Sequence, residues 1–491
     1  MPQAPEESSN EPTDAVTSDG NGHISQEAAV AGVETAKVDA VVSHFAVDGL
    51  TKKDYVRAAF RRPQLFNQKP STLIANVEGV VSHFATDGLT KRDYLHAAVR
   101  EPQLFYQKPA TLSANIEGVV SHFAADGLTT RDYLCAAIRQ PQLFYQKPST
   151  LSANIEGVVS HFAPDGLTKK EYLRAALQRP RLFTQKPATV IGHIEGVVSH
   201  FAAEGLTKRG YLRAAVHHPS FFTQRPLTLI ANIEGVVLHF AADGLTRREY
   251  LPAALRQPRL FTQKPSTLSA NIEGMTSHFA TEALTTADYL CAALRQPQLF
   301  NQKPSTLIAN IEGVVSHFAA DGLTKRDYLH AAVRQPQLFY QKPSTLIANI
   351  EGVVAYFGSD GLTQKDYLHA AIRLPSLFTQ KPATIIGHIN LLESIHKQGL
   401  LGIPEEKAAL LSFVCAHPQL LALSDDNLHL REVAAHLTGR TLTQYSRGKV
   451  EKLIRNTLAH DGSAGTDCAT GSHARRLLLN ALTREGYFKG R

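Results

Sequence analysis

The segment Gln341-Lys342-Pro343-Ser344-Thr345 puts a cation directly before a proline that opens a stretch of helical apolar periodicity. Proline lacks an N–H and is at home in the first turn of a helix, so the lysine falls at a helix N-terminus, where the macrodipole disfavours positive charge by about 0.3–1 kcal/mol. A phosphate oxygen offsets that cost, because it can accept from free first-turn N–H groups, from the threonine hydroxyl and from the ammonium at one point. A second reading needs no ligand: the lysine lies along its neighbour while glutamine and threonine cap the helix. The arrangement occurs nine times, with Lys69, Lys108, Lys147, Lys186, Arg225, Lys264, Lys303, Lys342 and Lys381 as the cations, each between a glutamine and a proline.

Against this constancy, the residue before the glutamine changes. It reads Asn67, Tyr106, Tyr145, Thr184, Thr223, Thr262, Asn301, Tyr340 and Thr379, three residue types that all hydrogen bond. Phosphate contacts that stay fixed beside side chains that vary fit a module selecting one base or step per copy; drift at a tolerant loop site gives the same pattern. Ten residues earlier a second position varies: Arg57, His96, Cys135, Arg174, Arg213, Pro252, Cys291, His330 and His369. A third alternates between Ser and Ile, from Ile74 and Ser113 to Ile386, and reads as packing.

Histidines recur at His44, His83, His122, His161, His200, His239, His278 and His317, with Tyr356 ending the row. Stacked helices lie about 8–10 Å apart, too far for two of these to share a zinc. No carboxylate or thiol is recognised at a fixed spacing from them, and a histidine in a last helical turn is favoured by the dipole. Repeated carboxylates such as Glu78 and Asp87 read as capping and surface pairing. No catalytic triad, nucleotide loop or HExxH arrangement stands out, so neither an enzyme nor a cofactor or metal site is expected. Cys135, Cys291, Cys415 and Cys468 are unpaired in spacing, which points to a reducing compartment.

The elements that position these residues follow from a period of 39, marked by Pro63, Pro102, Pro141, Pro180, Pro219, Pro258, Pro297, Pro336 and Pro375. The copy over 322–360 serves as the type. Thr324 followed by Asp327 predicts an N-cap, and Tyr328, Leu329, Ala332 and Val333 predict a helix that Pro336 stops. Pro336-Gln337-Leu338-Phe339 predicts one 3₁₀ turn carrying Leu and Phe into the core. From Pro343, Leu346, Ile350, Val353, Val354 and Phe357 predict a second helix running to Asp360-Gly361, with Gly361 left-handed. Gly352 inside it costs about 1 kcal/mol relative to alanine, which implies a close helix contact. One such unit buries neither face alone, and stacked copies do, so the fold class is an all-α superhelical solenoid, right- or left-handed.

The expected organisation is a disordered acidic segment over 1–24, an N-terminal capping helix within 25–48, nine repeats over 49–399, a degenerate tenth over 400–439, and a helical basic tail over 440–491. In the tenth, Leu428 stands ten residues after Pro418, as Leu73 does after Pro63. Charge divides accordingly: residues 1–48 hold one basic and nine acidic residues, 49–399 hold 38 and 26, and 400–491 hold 12 and 9. The basic character therefore belongs to the repeats, which points to a polyanionic partner. No stretch approaches the apolar length of a membrane span, and no basic-apolar leader opens the chain, so a soluble protein is expected.

The Pro102-Gln103-Leu104-Phe105 segment, the Gly88-Leu89-Thr90 opening and their counterparts resemble the repeat of the mitochondrial transcription termination factor family. That resemblance implies a left-handed helical solenoid binding nucleic acid along a basic concave face. The uniformity of the copies is similar to the arrays of bacterial transcription activator-like effectors, an analogy for modular reading. Together these predict a monomeric, sequence-selective nucleic-acid-binding protein, with duplex DNA ahead of RNA. The polar, acidic start resembles that of type III secreted effectors, which implies a bacterial protein acting in the cytoplasm or nucleus of a host cell. The alternative is a protein-interaction scaffold using the solenoid groove, and the C-terminal segment offers a place for a protein partner.

Overall fold

The computed structural model describes residues 35–397, 404 and 406–422, and among them all regular structure is helical. The expected acidic segment, the start of the capping helix, Leu428 and the basic tail lie outside the described residues. Two compact units divide the chain. One takes in the described residues to Ala202 together with Leu206–Pro226; the other takes in Ala203–Gly205 and the described residues from Leu227.

In the type copy the first helix is Lys325–Arg334 and starts where the sequence places it, with the Asp327 amide donating to Thr324 Oγ1 at 3.1 Å. Where glutamate replaces the aspartate, at Glu171 and Glu249, its longer side chain also accepts from the threonine backbone N–H and completes a capping box. The Pro336–Phe339 turn is 3₁₀ as expected. In copies one, four and six the same segment closes instead as a single α turn, at Gln64–Asn67, Arg181–Thr184 and Arg259–Thr262.

The second helix, Pro343–Phe357, stops three residues earlier than the sequence suggests. One 3₁₀ turn, Gly358–Asp360, intervenes before Gly361 takes the left-handed conformation at φ 95°. Eight copies use glycine there, and the seventh holds Ala283 at φ 66°.

Within each unit, copies stack through four recurring contacts, each between one copy and the next. In seven copies the first-helix tyrosine meets the next copy's turn phenylalanine edge to face, Tyr94 against Phe144 at 5.4 Å and Tyr289 against Phe339 at 5.4 Å among them. Such pairs add about 0.5–1.5 kcal/mol to their burial. An asparagine of the second helix donates to that phenylalanine's carbonyl, Asn76 to Phe105 at 3.2 Å and Asn349 to Phe378 at 2.9 Å. In the capping helix, Thr35–Phe45, Lys37 takes this role by donating to Phe66.

The third contact is an arginine relay. Arg61 donates to the carbonyls of Val99 and Arg100, Arg100 to those of Ile138 and Arg139, and Arg139 to those of Leu177 and Gln178. In the second unit the relay runs from Arg256 to Arg373, which caps Ala416 in the tenth repeat's helix, Lys407–Ala416. It satisfies carbonyls that a helix C-terminus otherwise leaves orphaned.

The fourth contact explains the helical glycine. A methyl built on Gly118 would come within 2.7 Å of Pro148 Cγ, and one on Gly352 within 2.7 Å of Pro382 Cγ. Gly118→Ala is therefore expected to destabilise the fold by about 1–3 kcal/mol through overpacking, although alanine is the better helix former. Gly192 lies in the helix Pro187–His200 with nothing within 4 Å of an added methyl. Gly192→Ala is expected to stabilise by about 1 kcal/mol. Urea unfolding of the two variants separates packing from propensity.

Candidate nucleic-acid interface

All nine cations of the Gln-Lys-Pro segments, from Lys69 to Lys381, are exposed, and none of their side chains makes a hydrogen bond or ion pair among the described residues. The lysine is the helix N-cap, held extended: Lys342 has φ −64° and ψ 135°. No side chain caps the second helices behind Lys69, Lys108, Lys147, Lys186, Lys264, Lys303 and Lys342. The capping by glutamine and threonine considered from the sequence is thus not seen at those seven starts. Instead the preceding glutamine has a buried Oε1 without a partner in five copies, at Gln185, Gln224, Gln263, Gln341 and Gln380. Each copy so offers an exposed ammonium or guanidinium, and in those seven it stands at an uncapped first turn.

The variable loop residues sit differently. Asn67 is exposed, and the other eight are half-buried. The hydroxyls of Thr184, Thr223, Thr262 and Thr379 donate back to a carbonyl of their own turn at 2.9–3.1 Å. Tyr340 OH accepts from Gln296 of the preceding copy at 3.2 Å, and Asn301 has both amide heteroatoms buried without a partner. Their hydrogen-bonding capacity is largely directed inward. The Ser/Ile position behaves as packing where it is serine, with Ser113, Ser152 and Ser269 buried.

On the first helix the arrangement is reversed. Arg57, His96, Cys135, Arg174, Arg213, Pro252, Cys291, His330 and His369 are all exposed. Four residues earlier stands a cation in eight of nine copies: Lys53, Arg92, Arg131, Lys170, Arg209, Arg248, Arg326 and Lys365, with Ala287 in the seventh. These too are exposed, and none makes a side-chain hydrogen bond or ion pair among the described residues. The sequence reading missed this row because its neighbours one residue earlier are themselves basic in six copies, at Lys52, Lys91, Lys169, Lys208, Arg247 and Lys325. Those neighbours are engaged: Lys91 reaches Glu78 at 3.3 Å and Lys325 reaches Glu312 at 3.2 Å.

The histidine row corrects the expectation that no carboxylate follows it at fixed spacing. For seven of the eight, His44, His83, His122, His161, His239, His278 and His317, the partner is the glutamate 34 residues on, in the following second helix. His44 Nε2 meets Glu78 Oε1 at 2.9 Å, His122 meets Glu156 at 2.8 Å and His317 meets Glu351 at 2.7 Å. Among the described residues no group of three His, Cys, Asp or Glu is placed to hold a metal ion.

The histidine hydrogen bond first, with a lysine behind it, holds the carboxyls of Glu78, Glu156, Glu195 and Glu312 below the usual carboxylate range. A carboxylate whose folded pKa is depressed contributes stability above its unfolded value, near 4.3, and loses it as pH falls through the folded value. The pairs are about two-fifths exposed, so solvent screening keeps each below about 1 kcal/mol. Glu195→Gln is expected to lower Tm slightly at pH 7 and to converge on the parent only as pH falls from about 4 through the depressed folded value; a Tm series against pH checks this.

Stacked αα copies with a repeated exposed cation at each second-helix start define an all-α tandem-repeat solenoid. No described protein family matches the chain by sequence, and no curated protein does. Among the described residues, no helix is long and apolar enough to cross a membrane.

Proposed function

We propose that the protein binds nucleic acid, with duplex DNA preferred over RNA, and that the row from Lys69 to Lys381 holds the phosphate backbone at one point per copy. The observation that carries this is the row itself: nine cations in one register, all exposed and without a side-chain partner among the described residues, at helix starts that disfavour them. A solenoid that needed these residues only for its own packing would bury or pair them, as it does with Lys91 and Lys325. The function agrees with what the resemblance to transcription termination factor repeats implies.

Duplex is favoured over single strands because single-strand readers stack bases on exposed aromatic rings. Here the first-helix tyrosines and the turn phenylalanines from Phe105 to Phe378 are core, Phe66 and the loop tyrosines Tyr106, Tyr145 and Tyr340 are half-buried, and the exposed rings Phe60 and Tyr356 are single and do not recur along the array. Base selection falls to the positions that vary between copies, in the loop before the glutamine and on the first helix.

The test is binding of the full chain to random duplex DNA, single-stranded DNA and RNA pools across a salt series, followed by selection on the pool that binds. Duplex binding with a steep salt slope and an enriched motif supports the proposal. No binding to any pool at low salt overturns it and leaves the groove to a protein partner.

A further inference from the structure

Which variable register reads the ligand is decided by accessibility. Residues four apart on a helix share a face, so every first helix but the seventh, which has Ala287, presents one cation and one variable residue side by side. The pairs are Lys53 with Arg57, Arg92 with His96, Arg131 with Cys135, and so on through the array. We infer that this first-helix face is a second nucleic-acid contact and the specificity-determining one, with the Lys53 register anchoring phosphates and the Arg57 register contacting base edges. The inference rests on the nucleic-acid reading above and moves base selection from the loop to the helix.

Three observations carry it. Eight of the nine loop side chains are half-buried, and the four threonines spend their hydroxyls inside their own turns, whereas the Arg57 register is exposed in every copy. The cation beside it is present in eight copies and has no side-chain partner among the described residues, while the cation one residue earlier, where present, is paired, as Lys208 is with Glu195 and Lys325 with Glu312. An α-helix also fits the major groove, where arginine pairs bidentately with guanine and an aliphatic ring offers no donor.

The two registers group the copies differently, which makes the inference sharp. By the loop, copies two, three and eight are alike, with Tyr106, Tyr145 and Tyr340. By the helix, copies two and eight share His96 and His330, and copy three carries Cys135. Copies one, four and five carry Arg57, Arg174 and Arg213 and are expected to select guanine by roughly tenfold. Copy six, with Pro252, is expected to select weakly.

The experiment uses the full chain and selection from a random duplex pool. Cys135→His is expected to convert the third position of the selected motif to the preference of the second and eighth, and Tyr145→Thr to leave the motif unchanged. A five-site variant, K53A/R92A/R131A/K170A/R209A, is expected to lower the salt slope by about 4.5, with its helical content and Tm measured alongside to show that it folds. A motif that follows Tyr145→Thr and ignores Cys135→His overturns the inference while the nucleic-acid function stands. So does an undiminished salt slope in the five-site variant. A parent chain that binds no nucleic acid at low salt removes the function itself, and this inference with it.

Discussion

Raising the pH past 10 is expected to unfold the array within about one pH unit, with tyrosinate absorbance and loss of helical circular dichroism appearing together. Each copy buries one first-helix tyrosine, from Tyr55 to Tyr367. Burial away from water pushes these phenols up, Tyr55 to about 12 and the others, such as Tyr94 and Tyr328, further. A group whose folded pKa is raised keeps its full contribution below the unfolded value near 10 and loses it as pH climbs from there towards the folded value.

In that window only the unfolded chain releases the proton, so each tyrosine removes about 1.4 kcal/mol per pH unit. The five in the first unit, Tyr55, Tyr94, Tyr133, Tyr172 and Tyr211, together remove about 7 kcal/mol per unit, comparable to the stability of a whole domain. The chain has no tryptophan, so the near-ultraviolet signal reports tyrosine cleanly. Tyr106, Tyr145, Tyr340 and Tyr356 lie outside this set, so the contradicting result is ionisation of all the tyrosines near pH 10 with the helices intact.

Individual tyrosines should differ. Tyr94 OH donates to the Leu104 carbonyl at 3.0 Å, so Tyr94→Phe is expected to cost about 1 kcal/mol at neutral pH. Tyr172 OH is buried without a partner, and Tyr172→Phe is expected to be neutral or slightly stabilising.

The second large effect is on ligand affinity. If all nine cations of the Lys69 register meet phosphates, that register alone should contribute a slope near −8 to the fall of the logarithm of the binding constant against the logarithm of salt. Between about 50 and 200 mM salt that amounts to roughly a 10³–10⁵-fold loss. Replacing Lys69, Lys108 and Lys147 with alanine removes three exposed, unpaired groups, so the fold should be preserved. The slope should shrink by about 2.7. Isothermal binding titrations of the variant and parent across salt give both numbers, and equal slopes would remove the lysines from the interface.

Local structure was legible wherever one residue type has one physical role. Threonine before an aspartate three residues on gave the N-caps, proline gave the first turns, and Gly352 within a helix announced the Pro382 contact. The early stop at Phe357 was hidden, because the final 3₁₀ turn and a continued helix bury the same residues. The bonds between copies were hidden for another reason. In an array of near-identical copies every pair of residues recurs at a constant spacing, so the His44–Glu78, Asn76–Phe105 and Arg100–Ile138 partners stand out no more than any other pair.

The candidate site divides the same way. An exposed cation before a helix-opening proline is readable from charge and helix chemistry alone. That Tyr340 turns inward to Gln296, 44 residues away, depends on how one copy sits upon another. The basic residues of the first-helix start were likewise indistinguishable by charge. Only their neighbours' bonds to Glu78 and Glu312 show that Arg92 and Arg326 are the unpaired ones.

The most direct test of the central claim is amine footprinting: acetylation of the full chain with and without saturating duplex DNA at low salt, read residue by residue by mass spectrometry. The account predicts that Lys69, Lys108, Lys147, Lys186, Lys264, Lys303, Lys342 and Lys381 lose reactivity together on binding, while Lys91 and Lys325, held in the ladder by their glutamates, change little. Bound DNA that leaves that row as reactive as in the free protein would contradict it.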